Sequence, residues 1–121
     1  MIKGTGIDII EIERIQRAVE NEKFIKRIFT KNEIEYFKTI NNNIYTIAGS
    51  FAAKEAVVKA LGTGVRGFKW LDIEIVRDKL GKPIVTLHEK ARRISNEKGI
   101  TKIELSISHC RQYAVAQAIG I

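Results

Sequence analysis

The chain has 121 residues, 45% of them hydrophobic and 29% charged, which suits one globular domain, residues 1–121, around a single core. No uncharged apolar run reaches the roughly eighteen residues of a membrane span, and Met1-Ile2-Lys3-Gly4 leads into a strand-like segment without a signal-peptide pattern, so neither is expected. The formal charge of +7 favours an anionic partner without choosing among nucleic acid, an acidic protein and a phosphorylated small molecule, while the single cysteine, Cys110, excludes an internal disulfide and suits a reducing, cytoplasmic setting.

In chain order, Gly6-Ile7-Asp8-Ile9-Ile10-Glu11-Ile12 is a β-branched run that predicts a first strand. From Glu13 the period becomes helical, with Ile15 and Val19, then Phe24 and Ile28, implying two short helices broken near Asn21. Thr30-Lys31-Asn32-Glu33 has capping-box spacing and starts a third helix, which ends by Asn41-Asn42-Asn43. The Ala-, Lys- and Glu-rich segment from about Thr46 to Leu61 predicts a long helix, stopped at Gly62-Thr63-Gly64. Residues 72–76 and 84–87 then alternate around a turn at 78–82, a predicted hairpin. An amphipathic helix with Ala91 and Ile94 on one side follows, and residues 103–108 and 113–119 predict a second hairpin. Helices in the first half and strands mostly in the second indicate an α+β domain, a mostly antiparallel sheet packed on the long helix.

Alternation places Asp8 with Ile10 and Ile12 on one face of the first strand and Ile7 and Ile9 on the other, so both faces are apolar. A carboxylate there needs a metal or a basic partner, unless it is a strand-end residue that faces water. Glu55 and Lys59 are four apart and share a helix face, as in an ordinary stabilising pair. Gly62-Thr63-Gly64 lets backbone amides approach a ligand, and serves equally as a helix stop. Taken together, two carboxylates, a lysine and a glycine loop make a usable site for phosphate chemistry with magnesium, which keeps several waters and shares its shell with substrate phosphates. His109, at a strand end, adds a possible phosphate donor; His88 has no comparable company.

These residues resemble a known family along essentially the whole chain. Gly6-Ile7-Asp8-Ile9, then Phe51-Ala52-Ala53-Lys54-Glu55-Ala56 with Lys59-Ala60 and Gly62-Thr63-Gly64, then Gly81-Lys82-Pro83 and Ser106-Ile107-Ser108-His109 are similar, in order and spacing, to the holo-acyl-carrier-protein synthases, the small trimeric class of 4′-phosphopantetheinyl transferases. The resemblance implies transfer of phosphopantetheine from coenzyme A to a serine of an acyl carrier protein, releasing adenosine 3′,5′-bisphosphate. It implies that Asp8 and Glu55 bind magnesium, that Lys59 holds or neutralises the phosphates, and that Gly62, Thr63, Pro83 and His109 line the coenzyme A pocket. It leaves the base for the serine proton open between Glu55 and a water on the metal. Arg14, Lys23 and Arg27 match positions that meet the acidic helix of the carrier, with Arg17 and Lys26 close enough to assist. A homotrimer with active sites between subunits is also implied. Ser50 departs from the family, which commonly has an arginine there, so a phosphate contact is expected to be missing, with either neighbouring lysines supplying the charge or coenzyme A binding more weakly.

Two other classes remain open at this stage. A nucleic-acid module would fit a pI near 9.7, but the nine aromatics form no compact strand pair for base stacking, and no nucleic acid is expected. A nucleotide diphosphate hydrolase would also use two carboxylates and a lysine. A binding protein that had lost the chemistry is not indicated, because Asp8, Glu55 and Lys59 are all present.

Overall fold

The computed structural model describes residues 1–64 and 66–121. Strand β1 (Gly4–Glu11) runs into α1 (Ile12–Ala18), α2 (Glu22–Ile28), α3 (Lys31–Thr39) and the long α4 (Ile44–Leu61). A single 3₁₀ turn (Trp70–Asp72) then leads to β2 (Ile73–Arg77), β3 (Pro83–Leu87), α5 (Glu89–Glu97), β4 (Ile103–His109) and β5 (Tyr113–Gly120). All pairing is antiparallel: β1, β5 and β4 form one sheet in that order, and β2 and β3 form a separate hairpin. The α+β expectation of an antiparallel sheet against a long helix holds, with the strands divided into two small sheets.

Local chemistry explains most of the boundaries. Asn21 caps α2 by accepting from the Lys23 amide, which is why the helical pattern breaks there. Thr30 and Glu33 form the reciprocal capping box that opens α3. Asn43 caps α4, and Gly62, at φ 78°, closes it in the left-handed conformation that glycine adopts without strain.

The centre of the molecule is an unusually thin contact between α4 and the main sheet. Gly4, Gly6, Asp8 and Ile10 of β1 lie on the same face as Ala114, Ala116, Ala118 and Gly120 of β5. The helix answers with Ala48, Ala52, Ala53, Ala56 and Ala60, each 4% exposed or less. A side chain at Gly6 would run into the Ala56 carbonyl, and one at Gly4 into the Ala60 carbonyl. Two residues of strand rise about 6.6 Å and one helical turn about 5.4 Å, so each step of two along β1 tracks about one turn back along α4. After Gly4 on Ala60 and Gly6 on Ala56, the next inward residue is Asp8.

The other face of β1 differs from the two-sided burial that its composition suggests. Ile7 is 61% and Ile9 63% exposed, so this apolar face is open in the single chain.

Candidate active site

Asp8 is therefore carried to α4 by the strand, and Glu55 and Lys59 come from the helix that the strand touches. Asp8 is 8% exposed. Lys59 does not form the ordinary pair with Glu55: its Nζ lies 3.3 Å from Asp8 Oδ1 and donates to the Ile7 carbonyl at 2.8 Å. The partner is thus a residue 51 positions away in sequence. Asp8 Oδ2 is buried and accepts no hydrogen bond from any described residue.

Glu55 is half-buried beside it. Burial first, then a hydrogen bond with Asp8 and the repulsion of its charge, push the Glu55 carboxyl up to about 7; Lys59 and Arg14 pull the other way. Two facing carboxylates share a hydrogen bond only while one of them holds a proton. With both ionised, Lys59 is the one positive group paired with them among the described residues, Arg14 acts without forming an ion pair, and Asp8 Oδ2 has no donor. A hard divalent cation fits this donor set, since magnesium accepts two carboxylates and completes its shell with water and phosphate oxygens. Among the described residues no group of three or more His, Cys, Asp or Glu forms a larger cluster.

Gly62 and Thr63 follow directly on the helix that carries Glu55 and Lys59, with the Thr63 hydroxyl donating to the Gly64 carbonyl at 2.9 Å. Pro83 and His109 have other neighbours. His109 stacks on Tyr45, ring centroids 5.0 Å apart, at the start of α4 and roughly four turns ahead of Lys59. Pro83 lines a cleft of about 340 Å³ with Arg92 and Lys102 between β3, α5 and β4. No hydrogen bond or ion pair of the described residues joins either one to Asp8, Glu55 or Lys59. Ser50 is 3% exposed and lies inside α4, so its hydroxyl offers no surface contact in place of an arginine.

Arg14, Lys23 and Arg27 are exposed on α1 and α2, and none forms an ion pair with a described residue. Arg17 and Lys26, by contrast, lie 3.6 Å from Glu13 and 3.3 Å from Glu22. The first three charges are thus unpaired among the described residues, and Arg14 also acts on Glu55.

Sequence reading missed a second ionic cluster. Lys54 and Glu33 form a buried pair at 2.7 Å, and Glu74 accepts from the Thr30 hydroxyl at 2.5 Å and lies 3.2 Å from His88 Nε2. Burial pulls the Lys54 ammonium below the usual lysine range, and Glu33 opposes this. The available signal was Lys54's place on the stripe Ile47, Ser50, Val57 and Leu61, all buried, where a charge needs a partner.

The chain belongs to the 4′-phosphopantetheinyl transferase superfamily, whose sequence pattern matches residues 4–118. Within it the chain is 57% identical to the holo-acyl-carrier-protein synthase of Alkaliphilus oremlandii, over all of both chains. Its fold is similar to that of the holo-acyl-carrier-protein synthase of Neisseria meningitidis, with a TM-score of 0.92 at 35% identity, covering 100% of this chain and 99% of the other. The Helicobacter pylori enzyme, solved in complex with coenzyme A, matches with a TM-score of 0.85 at 33% identity over 97% of this chain and 99% of its own.

Proposed function

We propose that this chain transfers the 4′-phosphopantetheine arm of coenzyme A to a serine of an apo acyl carrier protein, with magnesium held between Asp8 and Glu55. The observation that carries the site is the buried, unpartnered Oδ2 of Asp8, a carboxylate that interacts with Glu55 and pairs with the Lys59 ammonium through Oδ1. The holo-acyl-carrier-protein synthases similar over the full chain support the reaction. In it the serine oxygen bonds to the phosphorus that bears the pantetheine arm, the diphosphate P–O–P bond breaks, and adenosine 3′,5′-bisphosphate leaves.

Bound between the carboxylates, the metal would supply charge stabilisation to the diphosphate oxygens. Lys59 adds a second positive group to the same oxygens, and the Gly62–Thr63 turn admits the phosphates close to the backbone. Of the two candidates for accepting the serine proton, the chain itself supplies only Glu55. In the metal-free chain its carboxyl is raised to about 7, and a bound cation would favour the ionised form that accepts a proton.

The exposed charges of Arg14, Lys23 and Arg27 steer the acidic carrier to this side of the molecule. A homotrimer belongs to the same reading. It would cover the open face of Ile7 and Ile9, and it would let Pro83 and His109 of an adjacent copy complete the coenzyme A pocket, since within one chain their neighbours are the cleft lining and Tyr45. The reaction is assigned to the cytoplasm, where the thiols of coenzyme A and of exposed Cys110 stay reduced.

The test is intact mass spectrometry of an apo acyl carrier protein incubated with the chain, coenzyme A and magnesium, with a chelator control. A magnesium-dependent gain of one phosphopantetheine arm is expected. No gain on several apo carriers, with a folded chain, would reject the reading; phosphate release from nucleotides without a carrier would favour a hydrolase.

A further inference from the structure

Lys54 is a buried charge that the transfer chemistry does not use. Its ammonium lies 2.7 Å from Glu33 Oε1, 2.8 Å from the Ile28 carbonyl and 2.6 Å from the Ile73 carbonyl. Three short acceptors match the three N–H donors of an ammonium, where a neutral amine has two. These partners belong to the last residue of α2, to α3 and to β2, while Lys54 itself immediately precedes Glu55 on α4. A second tie joins the same two helices: Phe24 of α2 packs on Phe51 of α4 with ring centroids 5.9 Å apart. Helix α2 is also the one that presents the unpaired Lys23 and Arg27.

We infer that the buried Lys54–Glu33 pair, with the Phe24–Phe51 contact beside it, is a positioning device that holds the carrier-docking helix α2 at a set distance and angle from Asp8, Glu55 and Lys59. The inference rests on the transfer reaction proposed above. A seven-residue helix does not persist by itself, so the pose of α2 comes from such ties. Asn21 caps its start, and Lys54 takes the Ile28 carbonyl at its end. The consequence is geometric: a carrier docked on α2 presents its serine in line with the diphosphate only if α2 keeps its place, and a shift of about 1 Å costs on the order of 100-fold in rate. In the reading above coenzyme A would meet Asp8, Glu55, Lys59 and Gly62, none of which hydrogen-bonds to the Lys54 ammonium.

The experiment compares the wild-type chain with Lys54→Met and Phe24→Leu. Steady-state transfer is measured with apo carrier and coenzyme A varied separately, and coenzyme A binding in the presence of magnesium by calorimetry. For Lys54→Met we expect kcat/KM for the carrier to fall about tenfold or more, through both a higher KM and a lower kcat, and for Phe24→Leu to fall about threefold. Coenzyme A affinity should stay within about twofold of wild type. Phe24→Leu leaves the ion pair intact and decides the question if Lys54→Met does not fold. Carrier kinetics unchanged in the folded variants, or coenzyme A affinity falling in parallel with turnover, would overturn the inference. Wild-type chain that modifies no apo carrier would sink the transfer reading itself, whereas wild-type transfer with indistinguishable variants sinks only the positioning role.

Discussion

Two lysines on α4, Lys54 and Lys59, stand one turn and a fraction apart in opposite circumstances. Lys54 is closed in, with a carboxylate and backbone carbonyls around its ammonium. Glu33 is equally satisfied, accepting from the Thr30 and Ile75 amides at 2.7 and 2.8 Å. Lys59 is half-exposed and has two carboxylates to serve, one of which keeps a buried oxygen without a donor. The first cluster spends its charges on holding elements together. The second leaves the buried Asp8 Oδ2 without a donor, and a cation bound there would supply the missing partner and could in turn take an anionic oxygen.

The sharpest way to break the closed cluster is Lys54→Met, which strands Glu33 in the core; a loss of about 3–5 kcal/mol is expected in denaturant unfolding. The open cluster should respond in the opposite sense. Glu55→Gln relieves the carboxylate repulsion, so metal-free stability is retained or raised, while transfer falls by about 100- to 1000-fold in a carrier mass assay. Unchanged activity in a folded Glu55→Gln chain would refute the metal and charge roles given to this residue.

Gly6→Ala probes the contact that brings the open cluster together. The added methyl meets the Ala56 carbonyl, so β1 must move off α4, costing about 1–3 kcal/mol in stability and more in activity, because Asp8 moves with it. A thermal melt alongside a metal titration separates the two effects.

pH distinguishes the clusters more gently. The Glu55 carboxyl is raised to about 7, so the folded chain binds its proton more tightly than the unfolded chain does. Stability without divalent ions should therefore fall as pH rises from the ordinary carboxylate range to about 7, and this slope should vanish in Glu55→Gln. Melting in chelator across that range checks it. The smallest effects belong to the surface. Lys23→Ala and Arg27→Ala should raise KM for the carrier by a few-fold, about 1 kcal/mol or less each and weaker in salt, whereas Lys26→Ala, already paired with Glu22, should do less.

Much of the fold was legible in local chemistry. The capping box at Thr30, the break at Asn21 and the glycine stop at Gly62 each act within a few residues, and the structure has all three. Asp8 was singled out as a charge in an apolar strand, and Glu55 and Lys59, an ordinary helix pair by spacing, joined it through the combined pattern and the family resemblance; the structure brings these three together. Pairing was another matter. Lys59 shares a helix face with Glu55 yet reaches Asp8, and Lys54, read only as part of a motif, proves to be the best-partnered charge in the core.

The sequence by itself determined the elements and the kinds of residue available for chemistry, because caps, periodicity and glycine conformations are short-range. It also left the main-sheet face of β1 with two glycines before an aspartate. Only the tertiary structure decided what those glycines do: they let the strand close on α4 until Asp8 stands against Glu55 and Lys59. It alone decided, too, that the Ile7 and Ile9 face is open in the single chain, that His109 stacks on Tyr45 and that Pro83 lines a cleft with Arg92 and Lys102. The reason is physical: spacing along a chain sets which way a side chain points, while the group that it meets is set by how distant segments pack.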